Sequence, residues 1–139
     1  DHYDWTLDVM GDAWDPARAR RRLRESPHVI AADALLDQEW FAGVGNIIKN
    51  EVLFRIRVDP HTPVGALSAR KLGELVAQAR EYSFDFYRWK KDYVLKKHYQ
   101  VHTRTICPRD GTRLSYRKEL GRARRRAFFC ETCQKRYES

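Results

Sequence analysis

Apolar and polar positions follow different periods along the chain, and the changes of period mark its elements. Tyr3, Trp5, Leu7 and Val9 alternate with polar neighbours, which predicts a short extended lead-in across Asp1 to Trp14. Asp15-Pro16 is a helix start, an N-cap carboxylate followed by proline at the first helical position. The helix it opens carries the basic run Arg18 to Arg24 and closes at Ser26-Pro27. A second helix, expected from Val29 to Leu36, is apolar on most of its surface and therefore predicted to be the buried centre of a bundle. Between Asp37 and Asn46 the chain reads as a tight connection: Gly43 and Gly45 are free to take positive φ, and Asn46 is suited to cap a third helix, Ile47 to Phe54. After the prolines at 60 and 63, Ser68 is expected to cap a long helix with Leu72, Leu75, Val76, Ala79, Tyr82, Phe86 and Trp89 on one stripe. Lys96-Lys97-His98-Tyr99 then reads as a basic linker, and the β-branched and aromatic residues between Thr112 and Phe129 suit a hairpin. The pattern predicts a mainly α chain: a lead-in over 1–14, a helical bundle over 15–95 and a small β-hairpin unit over 96–139.

Charge narrows the function. Lys and Arg number 27 against 19 Asp and Glu, a formal net charge of +8 with a sequence pI near 9.6, the footprint of a polyanion binder. Nucleic acid comes before an anionic membrane, because the longest apolar runs, such as Val29 to Leu36, are too short to span a bilayer and no signal segment opens the chain. These features predict a cytoplasmic protein, one compact unit with an appendage. The start at Asp1, without an initiator Met, reads as an excised fragment.

Three segments carry candidate chemistry. In the first, Gly43-Val44-Gly45-Asn46 leads into a helix whose free N–H groups face outward, an arrangement suited to phosphate; packed helices joined by a glycine turn would look the same. In the second, Cys107-Pro108-Arg109-Asp110 and Cys130-Glu131-Thr132-Cys133 form two knuckles about twenty residues apart, the spacing of a zinc ribbon. Asp110 stands where a fourth cysteine would normally be, so the expected zinc ligands are Cys107, Asp110, Cys130 and Cys133, with His98 and His102 as less well spaced alternatives. In the third, Arg122, Arg124, Arg125 and Arg126 sit on one arm of the hairpin and Arg117 and Lys118 on the other, where guanidinium groups can fork onto phosphates. No Ser/His/Asp arrangement, Walker loop or pair of catalytic carboxylates is recognisable.

Leu35-Leu36-Asp37-Gln38, Gly43-Val44-Gly45-Asn46-Ile47, Asn50-Glu51 and Leu53-Phe54 resemble the helix-two-turn-helix of the formamidopyrimidine-DNA glycosylase and endonuclease VIII family. The unit from Cys107 to Cys133, with Arg125-Arg126-Ala127-Phe128-Phe129 before Cys130, resembles that family's zinc finger. The resemblance implies a base-excision-repair glycosylase with AP lyase activity, acting on duplex DNA with damaged or abasic sites through an N-terminal proline amine. Asp1-His2 does not match that family's Pro-Glu start, so the resemblance implies that catalysis belongs to an absent N-terminal domain, with this chain the DNA-binding part; nothing in the sequence suggests a dimer, and a monomer is expected. It assigns phosphate contacts to Asn46 in the glycine turn and to Arg125 in the hairpin, with Gly45, Arg124 and Arg126 beside them. Asp110 departs from the family's second finger cysteine.

Two competing classes remain open at this point. An RNA-binding or ribosome-associated module would use a similar helix-two-turn-helix on phosphates, and duplex RNA would then displace the chain better than duplex DNA. A zinc-ribbon protein-interaction module would bind an acidic protein in a nuclease-insensitive way.

Overall fold

The computed structural model of the protein describes residues 4–138. Four helices, α1 (Pro16–Glu25), α2 (Ala31–Leu36), α3 (Asn46–Arg55) and α4 (Ala69–Lys91), precede an antiparallel pair, β1 (Ser115–Leu120) and β2 (Arg125–Phe129). Ser115 faces Phe129 and Arg117 faces Ala127, and a register shift between Arg117 and Leu120 brings Leu120 opposite Arg125. Two helix starts follow their capping chemistry: the Asp15 carboxylate accepts from the Arg18 N–H, and the Ser68 hydroxyl accepts from the Lys71 N–H.

The predicted stripe of α4 is the core face. Leu72, Leu75, Val76, Ala79, Tyr82 and Phe86 are buried in one cluster with α1, α2 and α3, and Trp89 packs against it. Leu120, Ala127 and Phe129 of the hairpin belong to that same cluster, so the hairpin shares the bundle's core. A second cluster joins Phe54 of α3 to Val101, Cys107, Leu114, Phe128 and Cys130. The segment read as a basic linker is a 3-10 turn, Leu95–His98, in which His98 stacks on Trp89 with ring centroids 3.9 Å apart. That stacking gives the segment a fixed place on α4.

Four expectations need correction. The lead-in is not extended: Trp5–Leu7 form a 3-10 turn whose start is capped by the Asp4 carboxylate, and only the Asp8–Ala42 bridge is strand-like; Tyr3 lies outside the described residues. Helix α2 begins at Ala31, because Ile30 is extended and bridges to Pro63. Of the two turn glycines only Gly43 has positive φ, +100°, while Gly45 has φ −102°. Finally, Gly45 is the N-cap of α3 and Asn46 its first residue, so no side chain caps that helix.

Candidate nucleic-acid interface

The glycine turn is held from two sides. The Gln38 amide donates to the Val44 carbonyl at 2.9 Å and its carbonyl accepts from the Gly43 N–H at 2.9 Å. The lead-in adds Ala42 N–H to the Leu7 carbonyl at 2.8 Å and Val9 N–H to the Ala42 carbonyl at 3.2 Å. Because Gly45 offers no side-chain acceptor, the first N–H groups of α3 keep their donors for a ligand. Asn46 is 9 % exposed and its Oδ1 has no hydrogen-bond partner among the described residues.

The hairpin is clamped against this turn. Arg122 and Ala123 donate their N–H groups to the two carboxylate oxygens of Asp33 in α2, at 3.0 and 3.2 Å. Gly121 makes the approach possible: its φ is +75°, and a Cβ there would lie 2.3 Å from Asp33 Oδ1. Three residues on, the Arg126 carbonyl accepts from Lys49 Nζ at 3.0 Å and from Asn50 Nδ2 at 3.3 Å, both on α3. Arg125 therefore sits between two anchors, and it lines a cleft of about 420 Å³ with Gly43, Gly45 and Ala123, and a neighbouring one of about 190 Å³ with Asn46 and Tyr87. Gly45, Asn46 and Arg125, far apart in sequence, converge there.

The other two arginines go elsewhere. Arg124 has positive φ, +54°, and its Nε lies 3.4 Å from the Glu119 carboxylate. Arg126 alternates to the opposite face of β2, where its guanidinium lies 5.5 Å from the Phe128 ring centroid and lines a different cleft with Tyr116 and Arg113.

Helix α3 carries buried polar residues that the pattern of the chain does not reveal. Lys49 is fully buried, and desolvation together with the Arg125 charge pulls its amine down to about 7, against the opposing pull of Asp33. The Glu51 carboxylate accepts three backbone N–H groups, from Gln100, Val101 and His102, at 2.8, 2.9 and 2.9 Å. Burial raises its pKa while those bonds oppose the rise. His102 Nδ1 pairs with Asn50 Nδ2 at 3.1 Å, and desolvation with the nearby Arg126 charge holds the imidazole down to about 4, hence neutral. Asp33, Lys49, Asn50 and Glu51 thus position the hairpin and the segment leading to it. A Lys-Asn-Glu run inside a helix ordinarily marks a solvated face, and only the apolar character of the helix on either side hints otherwise.

Cys107, Asp110, Cys130 and Cys133 form a group whose ligand atoms all lie within 4.8 Å of one another. Cys107 Sγ and Cys133 Sγ are 3.8 Å apart, and Cys130 Sγ is 3.4 Å from Asp110 Oδ2. Thiolates at the usual zinc–sulfur distance of about 2.3 Å span a tetrahedral edge of about 3.8 Å, and a sulfur–carboxylate edge is about 3.5 Å, so the group has the dimensions of a tetrahedral metal site. Asp110 Oδ1 is occupied by the Thr112 N–H and hydroxyl, at 2.9 and 2.6 Å, which hold the carboxyl down to about 2 and leave Oδ2 toward the sulfurs. Burial and the Cys130 sulfur push the Cys133 thiol up to about 12. A cation in this group would supply the charge that thiolates need there. His98 and His102 are engaged with Trp89 and Asn50 instead.

Residues 7–82, more than half of the chain, match the formamidopyrimidine-DNA glycosylase H2TH domain. The chain belongs to the formamidopyrimidine-DNA glycosylase and endonuclease VIII family. It is 36 % identical over 130 residues to Endonuclease 8-like 3 of Xenopus laevis, covering 93 % of this chain and 21 % of that protein. It is 34 % identical over 135 residues to Endonuclease 8 2 of Mycobacterium tuberculosis, covering 92 % of this chain and 51 % of that one. Among family structures, MutM (Fpg) from Thermus thermophilus superposes with a TM-score of 0.81 at 27 % identity, covering 94 % of this chain and 54 % of that protein. Lactococcus lactis Fpg bound to AP-site DNA, at 24 % identity and a TM-score of 0.83, shares the fold. The chain thus spans between a fifth and about half of the length of these relatives. Within the family fold, the glycine turn packs with the hairpin in the main core, and the cysteines of the metal-ligand group lie in the second cluster, which Phe54 and Phe128 join to helix α3 and the hairpin. No described helix is long and apolar enough to cross a membrane.

Proposed function

We propose that this chain is the DNA-gripping part of a base-excision-repair glycosylase with AP lyase activity, binding duplex DNA that contains damaged or abasic sites. The convergence of Gly45, Asn46 and Arg125 on one cleft, with Arg125 unpaired by any carboxylate among the described residues, is the observation that carries this reading. A phosphate in that cleft would meet the open N-terminus of α3 and a guanidinium together, two favourable fields that act on any phosphodiester regardless of sequence. Arg124, shared with Glu119, and Arg126, on the other face of β2, add general positive potential. The chemistry of base removal and strand cleavage we assign to the remainder of the family's longer proteins, a catalytic domain that this unit would partner, one monomer to each damaged site.

Zinc is the proposed metal, held by Cys107, Cys130, Cys133 and Asp110 Oδ2. Its contribution would be structural, cross-linking the two knuckles beneath the hairpin. Metal analysis of the purified chain should return about one zinc per molecule.

Fluorescence anisotropy with a short duplex carrying an abasic-site analogue, beside the intact duplex and matching RNA across a salt series, tests the function. Affinity for DNA that falls steeply with salt is expected, with the abasic duplex preferred. Absence of DNA binding at low salt, or preference for the RNA, would overturn it.

A further inference from the structure

Strand β2 separates two clefts. Arg125 faces the glycine turn, and Arg126, one residue on, lines a cleft of about 360 Å³ on the outer face of the hairpin, together with Arg104, Arg113, Tyr116 and Phe128. No acidic residue lines this outer cleft, and none of its three arginines forms an ion pair among the described residues. Arg104 is used structurally, donating to the Tyr99 and Lys96 carbonyls, which leaves Arg113 and Arg126 as the free cations. Its floor is aromatic: Tyr116 is 48 % exposed, with its ring centroid 5.0 Å from that of the buried Phe128. Guanidinium groups around an accessible aromatic face are the two components that single-stranded nucleic acid requires, and a duplex would keep the faces of its bases stacked away from the tyrosine.

We propose that the outer cleft binds one unstacked nucleotide of a single-stranded DNA segment, its base against Tyr116 and its phosphates at Arg113 and Arg126. None of these contacts involves the glycine turn or Arg125, so this site and the duplex-binding cleft stand or fall separately. The commitment to nucleic acid over an acidic protein follows from the exposed ring: carboxylates would satisfy the arginines and leave Tyr116 without a partner.

The test is titration of the 139-residue chain with octathymidylate, followed by backbone amide NMR shifts and by anisotropy. Shifts are expected at Thr103 to Thr105, Arg113 to Tyr116 and Phe128. Tyr116→Ala should weaken octathymidylate binding about tenfold, and Arg113→Ala should weaken it while reducing its salt dependence. Arg125→Ala should leave it within about twofold while reducing duplex affinity. Both Tyr116 and Arg113 are exposed, and matching circular dichroism of the two variants checks that the fold persists. Shifts confined to Gly43 to Ile47, unchanged affinity in folded Tyr116→Ala and Arg113→Ala, or tighter binding of oligouridylate or an oligoglutamate peptide would each overturn the proposal.

Discussion

Arg125 is exposed and has no carboxylate partner among the described residues, yet the backbone on either side of it is fixed by Asp33 and by Lys49 with Asn50. A charged group on a pre-positioned backbone loses little freedom when it meets a phosphate, which concentrates binding energy at that residue. Arg125→Ala is therefore expected to weaken duplex DNA binding by about 1 to 3 kcal/mol, whereas Arg124→Ala, which gives up a charge already shared with Glu119, should cost less. Anisotropy on the two folded variants decides it, and equal losses would contradict a special role for Arg125. Gly121 invites a separate prediction. Gly121→Ala combines a left-handed backbone with a Cβ driven into the Asp33 carboxylate, so it should destabilise the protein by about 2 kcal/mol. Thermal unfolding measures this, and an unchanged Tm would mean that the hairpin tip is not clamped by Asp33.

Among the elements, α1, α4 and the hairpin were legible because their caps and periodicities agree: Asp15 and Ser68 bond the backbone as their residue types predict, and the α4 stripe is the core. The lead-in misled because alternation over four apolar residues is also compatible with a short capped turn, and Asp4 decided for the turn. At the candidate site, spacing alone grouped Cys107, Asp110, Cys130 and Cys133, which the structure brings together, and the family resemblance singled out Asn46 and Arg125, which line one cleft; that Arg126 points away from Arg125 follows only from the pleat of β2. Least legible was α3. Apart from the apolar residues on either side, nothing local distinguishes Lys49, Asn50 and Glu51 from a solvated face, since their partners, the backbones of 126 and 100–102, are distant in sequence. Glu51→Ala would leave three backbone N–H groups without their acceptor and should cost on the order of 3 kcal/mol. Lys49 makes stability depend on pH. Its folded pKa of about 7 lies below the ordinary 10.5, so between those values the unfolded chain binds the extra proton. Stability should therefore rise with pH across that window, the penalty being fully present below about pH 7. Lys49→Met should flatten that part of the profile in denaturant titrations between about pH 7 and the ordinary lysine pKa; a profile with the same slope as the parent would contradict the buried amine.

For the whole molecule, what matters is how the metal-ligand unit is joined to the bundle. Arg109 lies over the Phe54 ring at 3.6 Å and donates to the Phe54 carbonyl; the Gln134 amide donates to the Val58 carbonyl at 2.9 Å, and Lys135 pairs with the backbone of Arg57 and Asp59. Between these contacts runs the hairpin, with Leu120, Ala127 and Phe129 in the main core. Removal of the proposed zinc should consequently act unevenly. The knuckles, whose own cluster is small and whose sulfurs would have to reprotonate, lose their cross-link, while the hairpin retains its core side chains and its anchors on α2 and α3. With a chelator, amide exchange should accelerate strongly over residues 107–114 and 130–134, modestly over 125–129, and little over α4. Duplex affinity should fall in part, because Arg125 stays tethered by its neighbours. Asp110→Cys should resist chelator better than the parent, since a thiolate is the softer ligand, and Asp110→Ala should resist it less. Exchange that rises uniformly through α4 would show instead that the metal holds the entire fold, and exchange indifferent to the chelator would show that no metal holds the knuckles.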